Sequence, residues 1–502
     1  MKFYFREREI EQLSLVTSNL HTKVGAVLIY GNRKVGKTEF VKQFLTKNNG
    51  IYISISSNNS KLQLEDISTY LRSLNQFDFY IPRFSSWYEL FEFFYFIAKK
   101  ENFFLALDEF HNFDLIEKSV FSEIKKLFEI HNSDSKLTLL FISSNLTSIR
   151  KNFKDSNSPL YMLNSVEIKI NPFNLTNICG LYKENHSLLP IKEIIKIYLV
   201  FGGLPKYYFL IDSHNLWNKS LLEVLQNLVF QDYSPLGFEF KELILNDFSK
   251  SNKTYISILQ SIASGSSTVS EIAKDTQVQA TTLMKYLNEL AYIKNIISRK
   301  TPIHIENEGN SKFGKYFINS YFENFWFRFI QPNQIFFELR AYANLLSIIQ
   351  SNVENYLNER FYSLIKELIF YGNKELFVKR FFPFSISKVG PIWSRKHKFE
   401  MCLISKEEKQ ILLFKIFSEN KAILFDDIQL YNNAVLELKE IFKGYTLNLM
   451  VISMNRLSEE ENIFFRNKSI INFTIKEILE NITFVNNTLA ISEHLLINKT
   501  AI

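Results

Sequence analysis

The stretch that decides the fold is GNRKVGKT, residues 31–38. It lies between an apolar run, VGAVLIY (24–30), and a helix-like run, TEFVKQFL (38–45). The spacing G-x-x-x-x-G-K-[ST] between a strand and a helix is typical of a loop that binds nucleotide phosphates. A chance match to this spacing has a probability of roughly 2% in a chain of this length, before the strand and helix are required.

Each position of this loop has a chemical role. The two glycines allow sharp turns that aim backbone N–H groups at phosphate oxygens, and the helix that follows adds its positive end. The lysine is expected to reach the β- and γ-phosphates, and the threonine hydroxyl to meet Mg²⁺. We therefore predict ATP and Mg²⁺ as cofactors, bound by Gly31, Asn32, Arg33, Lys34, Val35, Gly36, Lys37 and Thr38, with Lys37 also acting in catalysis.

A second element is the acidic pair that ends the apolar run FFLALDEF (103–110). By itself, such a pair is usually a solvated strand end. Together with the phosphate loop it predicts a site, in which Asp108 and Thr38 hold Mg²⁺ and Glu109 polarises the attacking water.

A third apolar run, LTLLFISSN (137–145), ends in Ser143, Ser144 and Asn145. The carboxyl ends of parallel strands face the nucleotide crevice, so these residues are candidates for sensing the γ-phosphate. The alternative is that they only terminate the strand. For His111, which follows the acidic pair, a surface or structural role is expected, because the histidines show no metal-ligand spacing.

The order of apolar and helical runs between residues 24 and 148 predicts an α/β fold, a parallel sheet covered by helices. After INPF (170–173) the pattern turns helical, interrupted by FGGLPKYY (201–208). Residues 254–302 then show three short helices followed by a small β wing, which predicts a winged helix.

Bulk properties exclude several classes of protein. The net charge of +7 is modest for 502 residues, and the two cysteines, Cys179 and Cys402, are too few for a disulfide framework or a multi-cysteine zinc site. The chain start lacks a signal-peptide pattern, and its apolar runs are shorter than the roughly 20 residues of a membrane span. We expect a cytoplasmic protein with no membrane partner.

Double-stranded DNA is the predicted partner of the winged helix. Thr268 and Glu271 have the spacing of a helix cap, and the second helix of the pair begins with polar side chains, Gln279, Thr281, Thr282 and Lys285, where groove contacts are made. Six basic and three acidic residues give residues 251–302 a local charge of +3. The alternative is a module used only for protein or interdomain contacts.

Taken in order, these motifs resemble prokaryotic AAA-like ATPases of the STAND type, related to archaeal helicase-loader-like ATPases. The resemblance also extends to FREREIEQL (5–13), SPLY (158–161), YFENFWFRFIQP (321–332), VGPIW (389–393) and KFEMCLIS (398–405). It implies an ATP-dependent switch in which Gly203, Leu204 and Pro205 couple nucleotide state to a helical subdomain.

Two departures from the resemblance affect activity. Met162 and Leu163 stand where the family has Gly-Arg, and an arginine near the nucleotide can contribute a factor of about 10³ or more in rate. Hydrolysis is therefore expected to be slow unless Arg150 or a neighbouring subunit supplies the charge.

The second departure is in the C-terminal region, which resembles a restriction-endonuclease-like fold. Tyr362 and Cys402 replace the acidic residues of that fold, and QILLFKIF (410–417) has no acidic residue before Lys415. Glu400 alone is too little for a Mg²⁺ site, so a degenerate nuclease is expected.

The predicted domains are a P-loop ATPase core (1–172), a helical lid (173–250), a winged helix (251–310), a helical connector (311–354) and a degenerate nuclease-like α/β domain (355–502). The predicted function is a DNA-associated ATPase switch. The alternatives are a nucleotide-gated regulatory protein with little hydrolysis and an ATP-dependent nuclease. An unidentified protein partner or self-association is also expected.

Overall fold

The computed structural model describes residues 5–18, 24–74, 77, 79–163, 166–237, 252–304, 313–371, 382–393, 398–417, 435–453, 458–467, 470–475 and 477–478. It forms two compact units. The first lies within residues 1–173 and 204–209, and the second within residues 174–203 and 210–502. The phosphate loop and the acidic pair are both in the first unit.

The first unit is built on a five-stranded parallel sheet, as predicted. Its strands are β1 (Gly25–Tyr30), β2 (Gly50–Ser54), β3 (Phe103–Asp108), β4 (Leu137–Ser143) and β5 (Val166–Lys169), in the spatial order β2-β3-β4-β1-β5. The sequence pattern missed β5, because this strand has four residues and two of them are charged. In a parallel sheet all five carboxyl ends meet at one edge, which brings the loop after β1 and the pair after β3 together.

Helices cover both faces of this sheet. They are α1 (Glu7–Ser18), α2 (Lys37–Leu45), α3 (Ser60–Ser73), α4 (Trp87–Ile97), α5 (Phe113–Ile116), α6 (Ser119–His131) and α7 (Leu146–Ile149), with a 3₁₀ turn at Phe110–Asn112 and a π-helical turn at Arg150–Lys154.

Alternate residues of β1 point into two separate cores. Val27 and Ile29 pack with α1 and α2, whereas Ala26 and Leu28 pack with α3, α4 and α6. β1, β3 and β4 are therefore apolar along almost their whole length, as expected for strands buried on both faces.

The second unit begins with helices. They are α8 (Leu175–Glu184), α9 (Ile191–Phe201), α10 (Pro205–Ser213, whose first half belongs to the first unit) and α11 (Leu221–Leu228), then α12 (Asn252–Ala263), α13 (Val269–Thr276) and α14 (Ala280–Asn288), then α15 (Tyr321–Phe325), α16 (Gln334–Glu338), α17 (Tyr342–Tyr371) and α18 (Glu459–Asn467). A 3₁₀ turn lies at Gln331–Asn333 and π-helical turns at Glu289–Ile293 and Trp326–Ile330.

Two sheets belong to the second unit. After α14 come β6 (Ile297–Lys300) and β7 (Lys315–Ile318), an antiparallel pair. Five further strands, β8 (Lys388–Trp393), β9 (Lys398–Ser405), β10 (Gln410–Phe417), β11 (Thr446–Ser453) and β12 (Ile471–Thr474), form a mixed sheet in the order β12-β11-β10-β9-β8. The predicted domain boundaries, the winged helix and the nuclease-like fold stay predictions. Over the described ranges, every helix is too short or too polar to span a lipid bilayer.

In the first unit, the Asp114 carboxylate ties together the segments that follow β3 and β4. It lies on α5 and accepts hydrogen bonds from Ser148 Oγ (2.6 Å), Lys151 Nζ (2.7 Å) and Asn152 Nδ2 (2.9 Å). Burial raises the pKa of Asp114, but these three donors outweigh it, and the pKa is lowered overall. The network was not foreseen, because its members are distant in sequence.

We predict that Asp114→Asn lowers the free energy of unfolding by about 2 kcal/mol at pH 7, since hydrogen bonds to a charged acceptor are lost. The pKa of Asp114 is lower in the folded protein than in the unfolded chain, where it is about 3.9. The charged carboxylate therefore stabilises the folded protein at pH values above about 3.9. The difference in the free energy of unfolding between wild type and Asp114→Asn should therefore shrink as the pH falls below about 3.9 and then below the pKa of the folded state. Urea denaturation at several pH values measures this difference. The exposed Asp66→Asn on α3 is the control, and an equal loss in both variants would contradict the network's role.

Candidate nucleotide-binding site

The phosphate loop connects β1 to α2, and its two glycines are required for different reasons. A Cβ on Gly31 would lie 2.2 Å from the carbonyl oxygen of Ile170, so only glycine allows this close approach. Gly36 has a left-handed backbone, φ 90° and ψ 24°, immediately before α2. Lys34 also has a positive φ, 67°. The loop thus turns sharply before it enters the helix, as the motif predicts.

Lys37 is held inside this loop. Its side chain is buried, and Nζ donates hydrogen bonds to the carbonyl oxygens of Gly31 (3.0 Å) and Asn32 (2.9 Å). Burial lowers the pKa of Lys37, although Glu109 and Asp108 act in the opposite direction. Phosphate oxygens form stronger, charge-assisted hydrogen bonds with an ammonium group than neutral carbonyls do. The lysine is therefore placed to exchange its carbonyl partners for phosphate.

Thr38 and Asp108 come together at the amino end of α2. Thr38 Oγ1 donates to Asp108 Oδ2 at 2.7 Å, and the hydroxyl of Tyr52 donates to the same oxygen at 2.6 Å. The backbone N–H of Glu109 donates to Asp108 Oδ1 at 2.8 Å. Burial is the main cause that raises the pKa of Tyr52, and the hydrogen bond to Asp108 adds to it, so Tyr52 remains a donor.

The pair of oxygens from Thr38 and Asp108 fits Mg²⁺. This ion prefers oxygen ligands, keeps several waters and takes further ligands from phosphate, so one carboxylate and one hydroxyl suffice. Among the described residues, no three His, Cys, Asp or Glu side chains cluster as a metal site. The arrangement suits a metal that arrives with its nucleotide.

Glu109 lies beside this pair with its own set of partners. Its backbone is left-handed (φ 49°, ψ 37°), which is uncommon outside glycine, and Oε2 accepts a hydrogen bond from Ser144 Oγ at 3.1 Å. His111 Nδ1 is 3.2 Å from the same oxygen and 3.3 Å from Ser143 Oγ. Burial lowers the pKa of His111, Glu109 raises it and Arg33 lowers it, with a net lowering.

Four polar residues at or after the ends of β3 and β4 can now be compared with their predictions. Ser143 and Ser144 reach His111 and Glu109, whereas the Asn145 side chain accepts from the Ser148 N–H and caps α7, which is the strand-ending alternative. His111 was expected at the surface or in a structural role; its side chain is 14% exposed and lies against Glu109. Sequence spacing could not reveal this contact, because it depends on the turn at Glu109.

Arg6 is a residue whose role sequence reasoning missed. It is 6% exposed, and Nη2 donates to the carbonyl oxygens of Val35 (3.2 Å) in the phosphate loop and Asn171 (2.6 Å) after β5. Its guanidinium also lies 4.8 Å from the centroid of the Phe173 ring. Arg6 therefore fastens the phosphate loop to INPF (170–173), the stretch that also approaches Gly31.

The Gly-Leu-Pro element lies where α9 ends and α10 begins. Gly202, with φ 65°, is the residue that ends α9 and needs to be glycine, since a Cβ there would lie 2.9 Å from the Tyr321 ring. Within the first unit, Leu204 packs against the core beside α1 and α2, and Pro205 Cγ is 3.9 Å from the Cβ position of Gly36. A predicted coupling element thus touches the phosphate loop.

The structure describes the residues at which the sequence departs from the resemblance. Leu163, for which the resemblance implies an arginine, packs against the core beside α3, α4 and α6, and Met162 is 75% exposed. Arg150 is exposed at the start of the π-helical turn. Arg33, in the loop, is close enough to lower the pKa of both Lys37 and His111.

In the C-terminal sheet, Cys402 lies on β9 with its side chain in the apolar core, where burial raises the pKa of its thiol. Lys415 is half-buried on β10. The side chains of Tyr362 and Glu400 lie outside the described residues. The described part of this region therefore contains a thiol in an apolar core.

The candidate DNA-binding residues lie at the start of α14. Thr268 caps α13 together with Glu271, as their spacing predicts. Leu283 and Leu287 are buried, and the four polar residues are exposed: Gln279, Thr281, Thr282 and Lys285. In the β6–β7 pair Lys300 lies opposite Lys315, next to Arg299 opposite Tyr316. One exposed polar helix end and one basic hairpin thus follow each other along the chain.

Comparison with known proteins identifies the first unit. Residues 3–210 match a family described as "ATPase domain predominantly from Archaea", and residues 326–422 match one described as "Archaea bacterial proteins of unknown function". The prediction of an ATPase is confirmed for residues 3–210, which match this ATPase domain and contain the parallel sheet and phosphate loop of a P-loop ATPase. The second description assigns no activity to the C-terminal region.

Relatives extend beyond this domain. An uncharacterized protein of Methanocaldococcus jannaschii is 25% identical over 417 residues, which are 82% of this chain and 87% of the relative. A Walker-type ATPase of Pyrococcus abyssi has a similar structure, with a TM-score of 0.51 and 18% identity over 65% of this chain and 96% of its own. The latter likeness shows a shared fold. The STAND assignment, the winged helix and the nuclease-like domain stay predictions.

We predict that Arg6→Ala lowers the free energy of unfolding by about 2 kcal/mol, because the carbonyls of Val35 and Asn171 lose a charged donor. Since the loop is then less well held, ATP affinity should fall as well. Urea denaturation and titration with a fluorescent ATP analogue measure the two effects. Arg8→Ala, exposed in the first turn of α1, should change stability by less than about 0.5 kcal/mol. Equal behaviour of the two variants would show that Arg6 does not hold the loop.

Proposed function

We propose that this ATPase is a nucleotide-dependent switch that binds ATP with Mg²⁺ at residues 31–38 and Asp108. The observation that carries the proposal is the contact between Thr38 and Asp108 at 2.7 Å, next to Lys37. Two segments far apart in the sequence, residues 31–38 and the end of β3, thereby supply a phosphate loop with its lysine and a pair of metal-binding oxygens. Each would be of little use without the other.

The mechanism follows from these residues. Backbone N–H groups of the loop and the Lys37 ammonium bind the phosphates, while Thr38 and Asp108 hold Mg²⁺, which neutralises charge on the transferred phosphoryl group when bound. Glu109 orients and polarises the attacking water as general base. Ser144 and His111, at 3.1 and 3.2 Å from Glu109 Oε2, fix the direction of that carboxylate.

Slow turnover is the second candidate, and a specific observation favours it. Leu163 packs into an apolar core, so the position of the family arginine carries no charge. A protein that binds ATP and releases phosphate only slowly would act as a nucleotide-gated regulator. Arg33 in the loop or a neighbouring subunit would have to provide the missing charge for fast hydrolysis.

The switch would act through the segment at Leu204 and Pro205. Pro205 lies beside Gly36, so a change of the loop on nucleotide binding is felt by the start of α10. The family resemblance gives this segment the role of coupling nucleotide state to the helical subdomain. The contact with Gly36 supplies a physical route for that coupling.

DNA association is proposed for the segment from α12 to β7. The exposed side chains Thr281, Thr282 and Lys285 on α14 can donate to phosphates and base edges, and the hairpin adds Lys300 and Lys315. The proposal that the C-terminal domain is a degenerate nuclease rests on Cys402, an apolar core residue where a metal ligand is needed. An active nuclease is not favoured.

We predict that Lys37→Ala abolishes ATP binding, whereas Glu109→Gln still binds ATP but releases phosphate at least about 100-fold more slowly, since only the general base is lost. Phosphate release and the shift of the unfolding temperature by ATP measure the two effects. Exposed residues provide the controls, Lys47→Ala and Glu65→Gln. If ATP stabilises the wild type while its phosphate release equals that of Glu109→Gln, the regulator without useful turnover is the correct alternative.

For DNA, we predict that Lys285→Ala weakens binding of a mixed-sequence duplex and lowers the slope of log affinity against log salt by about 1, because one phosphate contact is lost. Fluorescence anisotropy of a labelled duplex at several salt concentrations provides the measurement. Lys274→Ala, exposed on α13, is the matched control. If the wild-type protein binds no duplex even at low salt, the prediction of DNA binding is wrong. The alternative, that α14 makes only protein contacts, would then be favoured.

A further inference from the structure

We propose that Tyr52 is a positioning residue for the Mg²⁺ site: its hydroxyl fixes the Asp108 carboxylate in the orientation that lets Asp108 and Thr38 hold the metal. This inference rests on the proposed function, because it takes residues 31–38 and Asp108 as the Mg–ATP site. Tyr52 lies outside both sequence motifs and has no role in the predictions made from them.

The sheet register places Tyr52 at this carboxylate. Tyr52 on β2 lies opposite Ala106 on β3, two residues before Asp108. Residues 106 and 108 share one face of β3, since side chains alternate along a strand. The tyrosine therefore leans over Ala106 to reach Asp108 Oδ2 at 2.6 Å. Ala106 is fully buried and carries only a methyl group, which leaves room for the ring.

The carboxylate of Asp108 has three donors, and they differ in what they can do. Thr38 Oγ1 can bind a metal through a lone pair while its proton stays on Oδ2, so this donor is itself part of the metal site. The Glu109 N–H holds only Oδ1. Tyr52 is the donor to Oδ2 that lies outside the metal ligands, and without it Oδ2 keeps, among the described contacts, only the hydrogen bond from Thr38.

Helix α2 holds the tyrosine as well as the threonine. Lys42 Nζ lies 5.1 Å from the centroid of the Tyr52 ring. Lys42 is four residues after Thr38, so both side chains lie on one face of α2. A cation over an aromatic face is attractive, and the contact keeps the ring beside the first turn of the helix. The site is thus braced from the edge strand β2.

Tyr52 also lines an open groove of about 580 Å³ along β2, together with Lys42 and Tyr70. Tyr70 lies on α3 and is 42% exposed. It is a tyrosine of the same groove without a hydrogen bond to the site in the described structure. Tyr70→Phe is therefore the matched control for Tyr52→Phe.

The test separates metal binding from nucleotide binding. Wild type, Tyr52→Phe and Tyr70→Phe are titrated with a fluorescent ATP analogue in EDTA, and then with Mg²⁺ at saturating analogue. Tyr52→Phe should bind the analogue in EDTA like the wild type, but require about tenfold more Mg²⁺ for half-maximal response, as for loss of one hydrogen bond to a charged group. Mn²⁺ binding, followed by electron paramagnetic resonance, should be weaker in Tyr52→Phe than in the wild type by the same factor. Tyr70→Phe should behave like the wild type in both metal titrations.

Phosphate release supplies a second criterion. If Tyr52 only positions Asp108, turnover of Tyr52→Phe returns to the wild-type value at saturating Mg²⁺. An unchanged Mg²⁺ midpoint in Tyr52→Phe, or a loss of turnover that Mg²⁺ does not restore, would overturn the inference. Wild-type protein that binds no analogue in EDTA or in Mg²⁺ would instead overturn the proposed nucleotide site, so the two failures are distinguishable.

Discussion

A buried carboxylate must find hydrogen-bond donors, because removing its charge from water without them costs several kcal/mol. Asp108 is 3% exposed at the end of β3, and it finds donors on α2, on β2 and in its own following residue. Satisfying this one charge brings together the phosphate loop, the edge strand and the acidic turn. The order of the sheet makes this convergence possible, since β3 neighbours β2 and lies two strands from β1.

The phosphate loop is also held by segments that are distant in sequence. Its backbone is held from outside by the Arg6 guanidinium, which also binds the carbonyl of Asn171, and Ile170 approaches Gly31 so closely that no side chain fits there. The loop therefore does not fold by its own sequence alone. A segment before β1 and a segment after β5 close around it, and Pro205 approaches it from the start of α10. The loop therefore has contacts with each of these segments.

Much of the first unit could be predicted from the sequence, because apolar runs such as LTLLFIS and FFLALD allow little else than buried parallel strands. Short or charged elements could not be predicted in this way. Strand β5 has only the residues VEIK, and its place in the sheet depends on its pairing with β1. The site shows the same division. Lys37, Thr38, Asp108 and Glu109 follow from motif spacing. No spacing rule links the site to the residues that contact or surround it from elsewhere in the chain, which are Arg6, Tyr52, His111 and Asp114.

The sequence by itself predicts which residues carry the chemistry of phosphate and Mg²⁺, since backbone turns, an ammonium group and oxygen ligands are properties of residue types at fixed spacing. It also puts an apolar side chain at Leu163 and a thiol at Cys402, and both pack with apolar cores in the structure. Only the tertiary structure decided which side chains hold those residues in place. Orientation depends on strand register and on contacts between segments far apart in the chain, such as Tyr52 with Asp108, and no local pattern encodes a distance of 2.6 Å between them.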